Sequence, residues 1–270
     1  MLRSITSGED GAREPSEEEQ EDPLFLQSAA RALQVMSAFH RSQSPLSLSA
    51  IAQMSGVGRS AAQRVVHTLQ TLGYIQRDEA DRGYVPGIRM LDHAYDYLRL
   101  NPLVERATPV LLDLRRNARE RIDLSLHDDL RMVYAARMQS KRETFFATLV
   151  GHSVPTFCTS GGRAVMAHLG DAEVDDIIAR SDRRPFTDKT ITDPREVREK
   201  VREARIDGYA LTVEEVLVGE VALGVAIRGA GGRPLGAIHI AGSLSEWTPS
   251  AFASRFAPLA AEAAYAINRV

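Results

Sequence analysis

Ser47–Gly73, SLSAIAQMSGVGRSAAQRVVHTLQTLG, decides the fold of the N-terminal part of this chain. Leu48, Ile51, Ala52 and Met54 are the apolar positions of a short helix that Ser47 or Ser49 can cap. Ser55-Gly56-Val57 then turns the chain, because glycine accepts the left-handed backbone such a corner needs. A second helix, from about Arg59 to Leu72, puts Ala62, Val65, Val66, Leu69 and Leu72 on one face. Arg59, Ser60, Gln63, Arg64 and His67 fall on the other. That polar face suits the DNA major groove: Arg pairs with guanine, Gln with adenine, and Ser with phosphate. An ordinary amphipathic helical hairpin would show the same apolar pattern.

The residues that follow separate the two readings. Tyr74–Arg77 reads as a strand, Asp78–Gly83 as a turn and Tyr84–Pro86 as a returning strand. Helix, turn, helix and β-hairpin in that order make a winged helix, with Arg77 and Arg82 on the wing, where they can meet phosphate or the minor groove. Gln27–His40 supplies a further amphipathic helix to back the hairpin. From Leu24 to Met90 there are seven Arg, no Lys and three acidic residues, a net +4 against −3 for the whole chain. A DNA backbone feels that local charge. The expected DNA contacts are Ser47, Arg59, Ser60, Gln63, Arg64, His67, Arg77 and Arg82.

Working outward, 270 residues suit two domains, each able to bury a core. No apolar run approaches the length of a membrane span, and no secretory signal opens the chain, so a cytoplasmic protein is expected. Cys158 is the one cysteine, which excludes an intrachain disulfide. Residues 1–23 hold eight acids and two arginines with few apolar residues, and read as a disordered acidic tail. The winged helix is placed at 24–87. Ile88–Arg99 is helical, and Asn101-Pro102 ends it, giving a linker helix at 88–102.

The second domain, 103–270, reads as α+β. Helices are expected at 103–120, 161–169, 172–180, 194–207 and 249–268. Strands are expected near 122–127, 131–138, 144–150, 210–215, 221–228 and 234–242. Alternation in Ile122–Leu126 and Gly236–Ile240 fits a sheet with one packed and one accessible face. Gly229–Pro234 joins two strands and is a hairpin turn rather than a phosphate loop.

Catalytic chemistry finds little support. Ser160 lacks the pattern of a nucleophile elbow. His127, His152, His168 and His239 show no metal-ligand spacing, and Glu214-Glu215 point apart at a strand end. No enzyme activity, cofactor or metal is expected. Binding is the remaining role. Thr159-Ser160-Gly161 opens a helix beside strands 221–228 and 236–241, where free N–H groups favour an anion such as a carboxylate. A plain N-cap by Thr159 or Ser160 is the alternative.

Several stretches resemble the IclR (isocitrate lyase regulator) family of bacterial transcription factors. In the first domain they are Gln27–Leu33, Pro45–Ile51, Gly58–Arg64 and Leu72–Arg77. In the second they are Cys158–Ala164, Asp207–Ala210, Glu214-Glu215 with Gly219, and Gly236–Gly242. The resemblance implies a GAF-like effector domain, an antiparallel sheet flanked by helices, joined by a linker helix to the winged helix-turn-helix. It implies homodimers, often paired into tetramers, on near-palindromic operators. It also implies an effector pocket that includes Ser160, Gly161, Glu220, Ala222, His239 and Ala241, beside Thr159 and walled by Phe146 and Val154. Members that bind small keto acids often carry Ser where this chain has His239 and Ala241. His239 with Arg121, Arg137 or Arg142, and with Phe146, suits a larger or aromatic carboxylate. Glu220 would repel an anion unless it pairs with Arg or His.

The expectation is a ligand-responsive regulator of a catabolic operon that senses a small organic carboxylate. A bifunctional small-molecule-binding enzyme carrying a winged helix is the alternative, and an effector-independent DNA-binding protein is a third.

Overall fold

The structure is a computed structural model and describes residues 16, 20–139 and 150–268. It divides into two compact units, with the boundary between Tyr97 and Leu98. Most of the expected acidic tail, Arg142, Phe146 and the strand expected near 144–150 lie outside the described residues.

In the N-terminal unit, α1 (Gln27–Ser37) runs into a 3-10 turn at Ala38–Arg41. The helix α2 (Leu48–Ser55) begins where Ser47 Oγ accepts from Ala50 N–H at 3.1 Å, and it ends at Gly56 with φ +67°. The third helix, α3 (Arg59–Thr71), buries Ala62 and Val66. Leu72 is 49% exposed, so the apolar face of α3 stops one turn earlier than its pattern suggests. Strands β1 (Ile75–Arg77) and β2 (Tyr84–Pro86) pair antiparallel. Gly83 allows the chain to close against Leu46, since a β-carbon there would stand 2.6 Å from the Leu46 carbonyl oxygen. Val35, Leu46, Ile51, Val57, Ala62, Val66 and Ile75 form one core, so helices and wing are a single packed unit. Helix α4 (Met90–Leu100) follows and buries none of its residues; Leu91, Tyr95, Tyr97 and Leu100 are exposed.

The C-terminal unit is a six-stranded antiparallel sheet with helices on both faces. Helix α5 (Pro102–Ala118) starts with proline behind Asn101, whose side chain accepts from Leu103 and Val104 N–H. The strands are β3 (Arg121–Asp128), β4 (Arg131–Met138), β5 (Ser153–Pro155), β6 (Ala210–Val213), β7 (Glu220–Arg228) and β8 (Pro234–Ser243). Their order is β5-β4-β3-β8-β7-β6. Helices α5 and α9 (Pro249–Asn268) cover one face through Leu111, Ile122, Leu124, Leu223, Ile238, Ile240, Phe252 and Phe256. The other face carries α6 (Ser160–Met166), α7 (Asp171–Arg180) and α8 (Pro194–Asp207).

The two-residue period of the strands sorts the chemistry by face. Ile122 and Leu124 pack under α5 and α9, so Asp123 and Ser125 point the other way. His239 alternates likewise with Ile238 and Ile240. The expected accessible face is therefore corrected: Asp123, Ser125 and His239 are all buried, beneath α6. Gly229–Arg233 makes the hairpin turn between β7 and β8.

Candidate functional sites

On α3, Arg59, Ser60, Gln63, Arg64 and His67 are all exposed on one side, while Ala62 and Val66 anchor the other. Gly58 caps the helix without a side chain, so its first N–H groups stay open to a phosphate. Ser47 sits at the start of α2 with its oxygen engaged as the N-cap acceptor. The wing differs from a free basic finger. Arg82 Nε donates to Asp78 Oδ2 at 2.8 Å, and Arg77 Nη1 lies 3.2 Å from Asp81 Oδ1. Arg77 also lies over the Tyr84 ring at 4.4 Å. The Arg82 hydrogen bond holds the largely covered Asp78 carboxyl below its ordinary range. Both wing arginines are thus already paired with acids within the wing. Downstream of α3, the Tyr74 hydroxyl shares a 2.6 Å hydrogen bond with His93 Nε2 on α4, and the two rings stack at 5.4 Å.

The second site is a cleft, partly open to solvent, between α6, the sheet and the β6–β7 connection; about 400 Å³ lies within its bounds when its open mouth is included. Of the residues expected at an effector pocket, Thr159, Ser160, Glu220, Ala222 and His239 line it. Val154, Gly161 and Ala241 do not. Val154 packs with Met132, Val165 and Ala237 behind the cleft. Gly161 is the contact of α6 with the sheet, where a β-carbon would run into the His239 ring. Ala241 is a buried residue of β8, between Arg121 and Ala222 in the strand register. Arg121, Tyr134, Thr212, Glu214, Glu215, Val216 and Leu217 complete the lining.

Charge in the cleft is organised around Arg121. Its Nε donates to Asp123 Oδ2 at 2.9 Å and its Nη1 to Glu220 Oε2 at 2.6 Å. Burial works against the Arg121 charge, but Glu220 and Asp123 outweigh it and hold the guanidinium above its ordinary pKa. Glu220 is therefore paired with a guanidinium. Arg137 Nε stands 3.5 Å from the buried Asp123 Oδ1. The Tyr134 ring, partly buried and with its hydroxyl pushed up mainly by burial, faces His239 at 5.6 Å.

His239 Nε2 lies 2.6 Å from Ser125 Oγ and Nδ1 lies 3.4 Å from Ser160 Oγ. Burial, then the Arg121 charge, lowers its pKa to about 3. The Ser160–His239 pair superficially resembles a nucleophile and its base. An imidazole held that low is a poor acceptor at neutral pH, and its other nitrogen meets a hydroxyl rather than an orienting carboxylate.

At the start of α6, Thr159 Oγ1 accepts from Gly162 N–H, the plain cap anticipated as the alternative to an anion seat. The helix is seven residues long, shorter than expected. Behind the cleft, Arg163 on α6 is wholly buried and forks onto Glu215 at 2.6 and 2.7 Å. Glu215 also accepts from Ile191 N–H, and the Thr187 and Thr190 hydroxyls hold the carbonyls of Glu214 and Glu215. Glu214 has φ +56°, and its carboxylate accepts from Gly219 N–H. The two glutamates thus act separately, each fixing the lip of the cleft. No cluster of metal-ligating side chains occurs among the described residues.

Two family models match this chain. The IclR helix-turn-helix domain covers residues 28–79, and the bacterial transcriptional regulator IclR C-terminal domain covers residues 95–269. The chain belongs to the IclR family of bacterial transcriptional regulators. Among similar family members, the Pca regulon regulatory protein of Pseudomonas putida is 29% identical over 239 residues, covering 88% of this chain and 81% of its own. The glycerol operon regulatory protein of Streptomyces coelicolor is 28% identical, covering 81% and 85% respectively. The crystal structure of a transcriptional regulator from Rhodococcus sp. RHA1 superposes with a TM-score of 0.75 at 30% identity, over 91% of this chain and 98% of that one. An IclR homologue from Microbacterium hydrocarbonoxydans, crystallised with 4-hydroxybenzoate, shares the fold at 20% identity and a TM-score of 0.71, over 90% and 98%. No described helix is long and apolar enough to cross a membrane.

Proposed function

We propose that this IclR-family regulator controls a catabolic operon from the cytoplasm, reading a near-palindromic operator and sensing a small organic carboxylate. The working parts are a reading head at 24–87, a linker helix at 88–102 and a sensing domain at 103–270. The observation that carries the sensing role is a guanidinium, Arg121, at a cleft that also offers the ring of Tyr134 and the hydroxyls of Thr159, Ser160 and Thr212. Arginine receives a carboxylate through two parallel donors, and a tyrosine ring packs against an apolar or aromatic body. The 4-hydroxybenzoate in the Microbacterium homologue supports an aromatic acid.

On the DNA side, Arg59, Ser60, Gln63, Arg64 and His67 are the base- and phosphate-reading set, with Ser47, Arg77 and Arg82 at its edges. Two copies of α3, one DNA turn or about 34 Å apart in a homodimer or a tetramer, would read the half-sites. The weakly basic His239 favours binding over turnover of the ligand. Ligand control requires that the acid bind the DNA-competent and DNA-incompetent forms unequally.

The test is fluorescence anisotropy on the promoter region beside the protein's own gene, titrated with benzoate, 4-hydroxybenzoate and pyruvate. A change in operator affinity with one of these acids supports the reading. Operator binding indifferent to all carboxylates, with no calorimetric heat, overturns it.

A further inference from the structure

Arg121 and Glu220 stand on β3 and β7, with β8 between them. In the register Arg121 faces Ala241, and Ala241 faces Ala222, two residues along from Glu220. The guanidinium therefore reaches Glu220 by crossing position 241, where alanine presents a single methyl group. The two acids that hold Arg121 are unequal. The Asp123 side chain is fully buried and flanked by Arg137, so it has no water to retreat into. The Glu220 side chain keeps 16% of its surface exposed, at the first position of β7 and the end of the lip that Val216 and Leu217 form. Gly219 before it, at φ +79°, and the Glu214 carboxylate on Gly219 N–H make that lip a compact turn.

A ligand carboxylate that joined Arg121 beside both acids would set three negative groups against the two guanidinium groups of Arg121 and Arg137 in a half-buried cleft. Removing charge from water without a full partner is costly, so exchange is favoured over addition. Only Glu220 can leave. We propose that Glu220 is a specificity-determining competitor: its carboxylate and that of the effector contend for the same donors of Arg121, and the effector displaces it toward solvent. The inference rests on the carboxylate reading above. It makes the affinity of the sensor a difference between two carboxylates, and it gives ligand occupancy a direct mechanical consequence at the 214–219 lip.

The experiment is calorimetric titration of the full-length protein with benzoate, 4-hydroxybenzoate and pyruvate, repeated with methyl benzoate and methyl 4-hydroxybenzoate as uncharged controls. Glu220→Gln removes the competing charge in nearly the same volume, and Glu220→Ala provides a second variant should the first fold poorly. The expected result is that the acid bound by the wild type binds both variants at least about tenfold more tightly, equivalent to about 1.4 kcal/mol. The methyl ester gains nothing, and Arg121→Met abolishes acid binding in either background. Wild-type binding of an acid with equal or weaker binding by the variants overturns the competition and leaves the carboxylate reading standing. Absence of heat with every acid, in wild type and variants alike, overturns the carboxylate reading and the competition together.

Discussion

Glu215→Gln is the sharpest test of how the sensing domain is held together. Arg163 is 0% exposed, and its guanidinium has three anchors: Nε on the Phe157 carbonyl at 3.0 Å, and both terminal nitrogens on Glu215. Glutamine retains the shape but removes the charge and one acceptor, leaving a buried cation with a single neutral partner on that side. Breaking a buried pair from one end costs about 3–5 kcal/mol, because the remaining charge has neither water nor counter-ion. At about 2–4 °C per kcal/mol for a domain of this length, the melting temperature should fall by about 6–20 °C. The assay is scanning calorimetry of the full-length protein, in which the transition assigned to the domain from Leu98 onward shifts. Arg163→Met with Glu215→Leu removes both charges together and should recover much of the loss, since apolar replacement of a buried pair is often neutral. A fall of under about 3 °C for Glu215→Gln, less than the cost of an ordinary substitution, would refute the assignment of Arg163–Glu215 as the anchor between α6 and the lip.

Three further outcomes follow from the geometry. Arg59→Ala or Arg64→Ala should weaken operator binding by about 1–3 kcal/mol each if a base contact is lost, with little effect on random DNA; gel-shift affinities equal to the parent would exclude α3 as the reader. On the wing, Asp78→Asn with Asp81→Asn releases Arg82 and Arg77 from their acids, so affinity for any duplex should rise and its salt dependence steepen; unchanged slopes would mean the wing does not touch phosphate. His239 is held neutral, with its folded pKa of about 3 below the unfolded value of about 6.5, so the unfolded state binds a proton first. Stability from this group is present above about pH 6.5 and drains as pH falls toward 3, at no more than about 1.4 kcal/mol per pH unit, and the pH dependence of the melting temperature should be shallower in His239→Asn.

The reading head was legible because its signals are local. A 3.6-residue apolar period, Gly56 between two helices and a short hairpin after Gly73 all lie within forty residues, as the resulting core of Val35, Ile51, Val66 and Ile75 reflects. Several strand positions in the second domain were also legible, since alternation marks Ile122, Leu124, Ile238 and Ile240 directly, whereas the three-residue β5 at Ser153–Pro155 was not expected. The cleft was less so. Tyr134, Thr212 and Leu217 reach it only because the sheet runs β4-β3-β8-β7-β6, an order no short window encodes. Val154, Gly161 and Ala241 belong to the neighbourhood of the cleft without lining it: Val154 packs with Met132 and Val165, Gly161 abuts the His239 ring, and Ala241, on the same face of β8 as His239, is buried between Arg121 and Ala222 in the register. The wing pairs were within reach of the sequence, because Asp78–Arg82 and Arg77–Asp81 both have the spacing of four that lets charges meet.

The two sites use charge in opposite ways. The α3 face carries Arg59 and Arg64 into water with no acid partner among the described residues, so the attraction it offers a DNA backbone is long-ranged and is weakened by salt. In the cleft, Arg121 and Arg137 are balanced by Asp123 and Glu220 within a few ångströms, and the field that reaches solvent is small. On the proposed reading, a ligand is selected by whether its carboxylate fits the donors of Arg121 better than Glu220 does, while its remaining atoms meet Tyr134 and the Val216–Leu217 lip. Discrimination of this kind depends on geometry at contact and resists the ionic strength that governs the DNA head. Such a sensor can hold its threshold for a metabolite while the protein's grip on the operator varies with the salt around it.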